Sequence, residues 1–122
     1  MIYLLILIIL FAFISAKYDY IRIKHNYKIN HIHNWIFRAL FATILMLIYD
    51  SNIFIILFII PFLFSLSFRA LLNKFRGKKI NYISNSNKYD SIFIKLFKNK
   101  GGYVIYLFEI IMIIIGFLKI YN

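Results

Sequence analysis

Between Trp35 and Leu72 the sequence consists of one apolar run, the short polar break Asp50-Ser51-Asn52, and a second apolar run. Few folds are open to such a pair. Asp, Ser and Asn are turn-forming side chains, so the stretch reads as a helical hairpin. The chain has 122 residues, 63% of them hydrophobic, with a mean hydropathy of +0.80. Ordinary soluble domains are about 45–50% apolar, and a domain this small has too much surface for its volume to hide the excess. Lipid as the surrounding solvent removes the difficulty, and the hairpin then crosses a bilayer twice.

Two further apolar runs flank it. In the first, residues 1–16, no Lys or Arg comes before the apolar residues, so the positive n-region of a secretory signal is missing. A cut after Ala16 would put Ile14 where a small residue is required. The run is therefore read as an uncleaved anchor. As a helix it is about 24 Å long, short for a hydrocarbon core of about 30 Å, and Tyr18 and Tyr20 at the interface, with tilting, take up the mismatch. Gly101-Gly102 reads as a break or hinge before the last run. The expected fold is all-α: an integral membrane four-helix bundle forming a single membrane domain over 1–122, with spans at about 1–16, 33–49, 53–71 and 103–121. Asn30 is the expected N-cap of the second span, Trp35 its interfacial anchor, and Pro61 a kink in the third.

The formal charge is +11, and most of it is concentrated in two connections. Residues 17–32 carry Lys17, Arg22, Lys24 and Lys28 against Asp19, with His25, His31 and His33 nearby. Residues 72–102 carry Lys74, Arg76, Lys78, Lys79, Lys88, Lys95, Lys98 and Lys100 against Asp90 alone. Basic loops alternating with apolar runs are the signature of topology control, and they favour the cytoplasmic face. The expectation is a multi-pass protein of the bacterial inner membrane with both termini outside, and the pattern argues against nucleic acid as the partner. Within the second connection, residues 87–98 place Tyr89, Ile92, Phe93, Leu96 and Phe97 at helical spacing. Lys88, Lys95 and Lys98 fall largely on the other side. This short amphipathic helix either lies in the interface with its lysines at anionic lipid headgroups or packs on the ends of the bundle.

Polar residues inside the spans recur three and four apart, hence on one helix face. The second span presents His31, Asn34, Arg38, Ala42 and Tyr49; the third Pro61, Ser65 and Arg69; the fourth Gly102, Tyr106, Glu109, Ile113 and Gly116. A first helix continued past Ala16 presents Ala12, Ser15, Asp19 and Arg22. Such faces meet other helices rather than lipid. Arg38 and Glu109 each lie about 18 Å from the outer ends of their helices. They are expected to pair in an intramembrane polar layer with Ser65, because an unpaired charge there costs about 2.5–3.5 kcal/mol. Asp19, Arg22, His31, Asn34 and Arg69 form a second polar cluster at the cytoplasmic ends. The layer is read as a structural clamp or, alternatively, as a relay or an anion pocket of Arg38, Arg69 and Arg22.

Catalytic and metal chemistry find no support. Cysteine is absent, which excludes disulfides and thiolate sites. His31-x-His33 with His25 and Asp19 lacks the spacing of a helical ligand pair. A phosphate loop, a nucleophile elbow and an HExxH motif are all missing. No enzyme, cofactor or metal is expected.

Several short motifs, Asp19-x-x-Arg22, Ile29-Asn30-His31, Asn34, Arg38, Arg69-x-x-x-Asn73-x-x-Arg76-Gly77, Tyr82 and Asp90-Ser91, span residues 19–91. Their pattern resembles small uncharacterised multi-span membrane proteins of Bacteroidetes genomes and their phages. The resemblance implies a multi-span protein with polar residues gathered at the cytoplasmic helix ends, and it implies no activity. The functional expectation is a membrane-embedded structural or interaction component whose partners are anionic lipids, a second copy or another membrane protein. The alternatives are a holin-like permeabilising protein and a small proton- or ion-coupled transporter using Glu109.

Overall fold

The computed structural model describes residues 1–29, 31–48, 52–84 and 88–122, with the side chains of all of these except Met46. These residues form helices α1 (Ile2–Lys24), α2 (His31–Ile48), α3 (Ile60–Phe75), α4 (Lys88–Phe97) and α5 (Gly101–Tyr121), and no strand occurs among them. A π turn, Ile55–Ile59, leads into α3, and a 3-10 turn, Lys98–Lys100, joins α4 to α5. Among the described residues, three segments are long and apolar enough to cross a membrane: Ile2–Lys24, Ile55–Phe75 and the α5 part of Lys88–Tyr121. This is an all-α bundle with the make-up of a small membrane protein.

The first helix is longer than residues 1–16. It runs through the basic residues to Lys24, which makes it about 34 Å long and removes the mismatch expected of the shorter run. Asn26 ends it in the left-handed region at φ 58°. There Tyr27 N–H bonds to Arg22 C=O at 2.8 Å and Asn26 N–H to Ile23 C=O at 3.0 Å, the paired bonds of a Schellman cap. The same device ends α3: Gly77 has φ 65°, and Lys78 N–H bonds to Asn73 C=O at 2.9 Å.

Pro61 at the start of α3 has no N–H to give, and its ring crowds the carbonyl of residue 57. The backbone accommodates this by widening the preceding turn to a π turn, in which Ile60 N–H bonds to Ile55 C=O. Asn52 caps the entry, its Oδ1 accepting from Phe54 N–H at 2.9 Å. The expected N-cap Asn30, the turn residues Asp50 and Ser51, Tyr49 and Asn87 all lie outside the described residues.

Helix directions follow from the contacts. Phe11 meets Phe64, while Phe13 and Tyr20 meet Phe75, so α1 and α3 run parallel. Gly116 lies against Phe58 and Ile59, and Phe62 against Phe108, so α5 runs antiparallel to α3. Phe41 stacks on Phe11 at 4.0 Å, and Asn34 bonds to Asp19, so α2 runs antiparallel to α1. The C-terminal ends of α1 and α3 and the N-terminal ends of α2 and α5 therefore share one end of the bundle, here called the loop end.

Between helices in lipid the hydrophobic effect supplies little, and close packing at small residues replaces it. Ala12 and Ala16 of α1 are fully buried, in line with Leu4, Ile8 and Asp19. On α5 the buried face is Gly101, Gly102, Ile105, Glu109 and Gly116, so the expected stripe is matched at Gly102, Glu109 and Gly116. Gly101 and Gly102 are helical and buried rather than a hinge. A Cβ on Gly102 would stand 1.7 Å from the Asn81 carbonyl oxygen, and one on Gly101 would stand 2.9 Å from that of Phe93. These two glycines let α4, at Phe93, and the segment before it, at Asn81, press onto the start of α5. The reversal itself falls at Lys98, where φ is 50°.

Candidate functional site: a guanidinium clamp and the groove beside it

Arg69, near the loop end of α3, is the organising side chain. Its Nη1 donates to Glu109 Oε1 of α5, and its Nη2 donates to Asp90 Oδ1 of α4 at 3.1 Å. Ser65, one turn back on α3, donates to Glu109 Oε1 at 3.3 Å and accepts from Arg69 Nη2 at 3.4 Å. Glu109 is 0% exposed and Arg69 8%. One cation thus ties three helices together through two carboxylates. Asp90 and Glu109 would lie about 28 Å apart on a single straight helix, so their meeting depends on α4 folding back along α5, where Phe93 packs on Phe108 at 5.8 Å.

The expected pair Arg38–Glu109 is corrected here: Arg69 holds Glu109. Helical side chains tilt toward the N-terminus of their own helix. α3 and α5 are antiparallel, so Arg69 leans into the membrane and Glu109 leans toward the loop end, and the two meet. α2 starts at the loop end, so Arg38 leans back toward it. Counting residues placed Cα atoms at one level and ignored this direction. Arg38 instead lies over the faces of Phe64 and Phe68, its guanidinium carbon 4.8 and 4.9 Å from the ring centroids. The remainder of the expected layer, Ser65 with Glu109, is present.

Of the expected loop-end cluster, Asp19 and Asn34 meet, with Asn34 Nδ2 3.2 Å from Asp19 Oδ2. Arg22 makes its hydrogen bonds elsewhere, donating to Tyr18 Oη at 3.1 Å and to Lys28 C=O at 2.7 Å, while it, Arg38 and His31 act on the Asp19 carboxylate through space. His31 is exposed at the start of α2, and Arg69 belongs to the clamp. Lys88, Lys95 and Lys98 are exposed. On α4 the apolar face divides: Phe93 and Tyr89 turn inward, while Ile92 (53%) and Leu96 (69%) stay exposed.

Asn73 is 3% exposed and donates to Ile80 C=O at 2.9 Å and Tyr82 C=O at 2.8 Å. Tyr106 Oη donates to Ile80 C=O at 2.7 Å. These bonds fold residues 78–83 over the loop end. Asp90, Asn73 and Tyr106 were not named as site residues, although Tyr106 lay on the polar stripe of the fourth span, Asn73 and Asp90 in the short motifs, and Asp90 was the lone acid among eight cationic residues of its connection.

Beside the clamp a cavity of about 460 Å³ opens between α2, α3 and Tyr82, Ile83, Ser84, Tyr89 and Asp90. Its apolar part includes Phe41, Ala42, Ile56, Ile60 and Phe64; toward the loop end it is lined by Arg38, Arg69, Asn73, Arg76, Tyr82 and Asp90. Compared with known proteins, the chain has no matching family model and no significant match among curated proteins or solved structures.

Proposed function

We propose that this is a four-span protein of a bacterial inner membrane, kin to the small multi-span proteins whose motifs it resembles, acting as a membrane-embedded structural and interaction component. The observation that carries the reading is α4. Asp90 ties it to the bundle through Arg69, while Ile92 and Leu96 remain exposed alongside the exposed Lys88, Lys95 and Lys98. A helix with one face fixed to the bundle, apolar residues free and lysines beside them fits the boundary between acyl chains and anionic headgroups. The intramembrane charges Arg69 and Glu109 neutralise one another, as a clamp requires.

A second reading, a small proton-coupled transporter, rests on one feature: Glu109 Oε2 is buried and accepts no hydrogen bond among the described residues. Expression in cells carrying a membrane-potential dye separates the readings. A structural component leaves the potential intact. Timed collapse with lysis replaces it by a permeabilising protein, and pH-dependent flux in proteoliposomes lost in Glu109→Gln replaces it by the transporter.

A further inference from the structure

The groove beside the clamp combines three properties. It follows the π turn and α3 from Ile56 to Arg76, and its apolar part, Ile56 to Phe64, covers about 12 Å at helical rise, within the single leaflet, half of a hydrocarbon core of about 30 Å, that one acyl chain spans. Its chemistry changes along that length, from Ile56, Ile60 and Phe64 at the far end to Arg38 and Arg76 toward the loop end. And those two guanidiniums make no direct ion pair. Arg69 is paired with Asp90 and Glu109, whereas among the described residues Arg38 and Arg76 have no salt bridge: Asp19 acts on Arg38 only from beyond salt-bridge distance, Arg38 rests on Phe64 and Phe68, and Arg76 rests on Tyr82 at 5.5 Å. Ring faces hold a guanidinium in place while leaving its N–H donors for an anion.

From these we infer that the groove is a binding site for one anionic phospholipid, with an acyl chain along α3 and the phosphate held by Arg38 and Arg76. A phosphate accepts bidentate bonds from a guanidinium, and the apolar length below it is what an acyl chain covers. A soluble anion would leave that length empty, and a zwitterionic lipid would bring its own cation up against the two guanidiniums. The inference rests on the membrane reading above but not on the lysines of α4, which attract headgroups without selecting a single site.

Trp35 provides the probe. It is the sole tryptophan of the chain and lines the groove. The protein is reconstituted in phosphatidylcholine vesicles containing either dibrominated phosphatidylglycerol or dibrominated phosphatidylcholine at equal low mole fraction, and quenching of Trp35 fluorescence is read. The expected result is at least twofold stronger quenching by the brominated anionic lipid. The excess is lost in the Arg38→Gln/Arg76→Gln double variant and in Ala42→Phe, which fills the apolar part without touching either cation. It persists in the Lys88→Gln/Lys95→Gln/Lys98→Gln variant and in the presence of soluble glycerophosphate. Equal quenching by the two lipids, or an excess that survives the arginine changes, overturns the site. An excess lost with the lysines alone also overturns it while leaving the interfacial role of α4 standing. Relief by glycerophosphate overturns the acyl-chain assignment. Loss of the protein from alkali-washed membranes would overturn the membrane reading itself.

Discussion

At the scale of single residues, Arg69 shows how a charge is kept inside a bundle. Glu109 is wholly enclosed, so removing its partner strands a buried carboxylate, whereas removing both charges leaves only Asp90, with its side chain 13% exposed, without its cation. Breaking a buried pair from one side costs about 3–5 kcal/mol, and replacing both members by apolar residues is often neutral. Arg69→Gln is therefore expected to lower stability by about that amount, and Arg69→Met/Glu109→Leu by clearly less than Arg69→Gln alone, as read by denaturant unfolding in micelles. Arg38→Gln should leave the clamp intact and give a loss well below that of Arg69→Gln. An Arg38 effect as large as that of Arg69 would return the pairing to the arrangement expected from residue counting.

At the scale of elements, glycines do two different jobs. Gly77 caps α3 with φ 65° and has open space where a Cβ would stand, so Gly77→Ala costs only the left-handed backbone, about 1–2 kcal/mol. Gly102 has ordinary helical backbone, but a Cβ there would overlap the Asn81 carbonyl. Gly102→Ala must displace residues 78–83, breaking the bonds from Asn73 and Tyr106 to Ile80. The expected outcome is a larger loss than for Gly77→Ala, with hydrogen exchange rising across 78–84. Asp90→Asn acts on a third element: it removes the charge that ties α4 to α3, so exchange should rise in Lys88–Phe97 while the buried faces of α1 and α3 keep their protection.

At the scale of the whole molecule, the parallel pair α1 and α3, with α2 and α5 antiparallel to them, puts both basic connections at one end. With positive loops retained in the cytoplasm, a reporter active only there should be silent when fused after Asn122 and active when inserted near Lys79. The chain contains no cysteine, so single cysteines at Lys79 and at Lys119 report separately. The first should react only with permeant reagent in intact cells and the second with impermeant reagent as well. The reverse pattern would invert the topology.

The medium, the helical class and the loop end were legible in the sequence because each is a property of segments. Hydropathy sums over a run, charge sums over a connection, and neither depends on which side chain meets which. The small-residue face of α5 was legible for a similar reason, since helical periodicity is local. Which cation would hold Glu109 was decided only in three dimensions. Arg38 and Arg69 are equivalent by type, and the choice follows from helix direction, from α4 doubling back at Lys98, and from the close approach that Gly101 and Gly102 permit. The groove with Arg38 and Arg76 outside any salt bridge among the described residues is likewise a product of tertiary structure, because Arg69 has taken both Asp90 and Glu109.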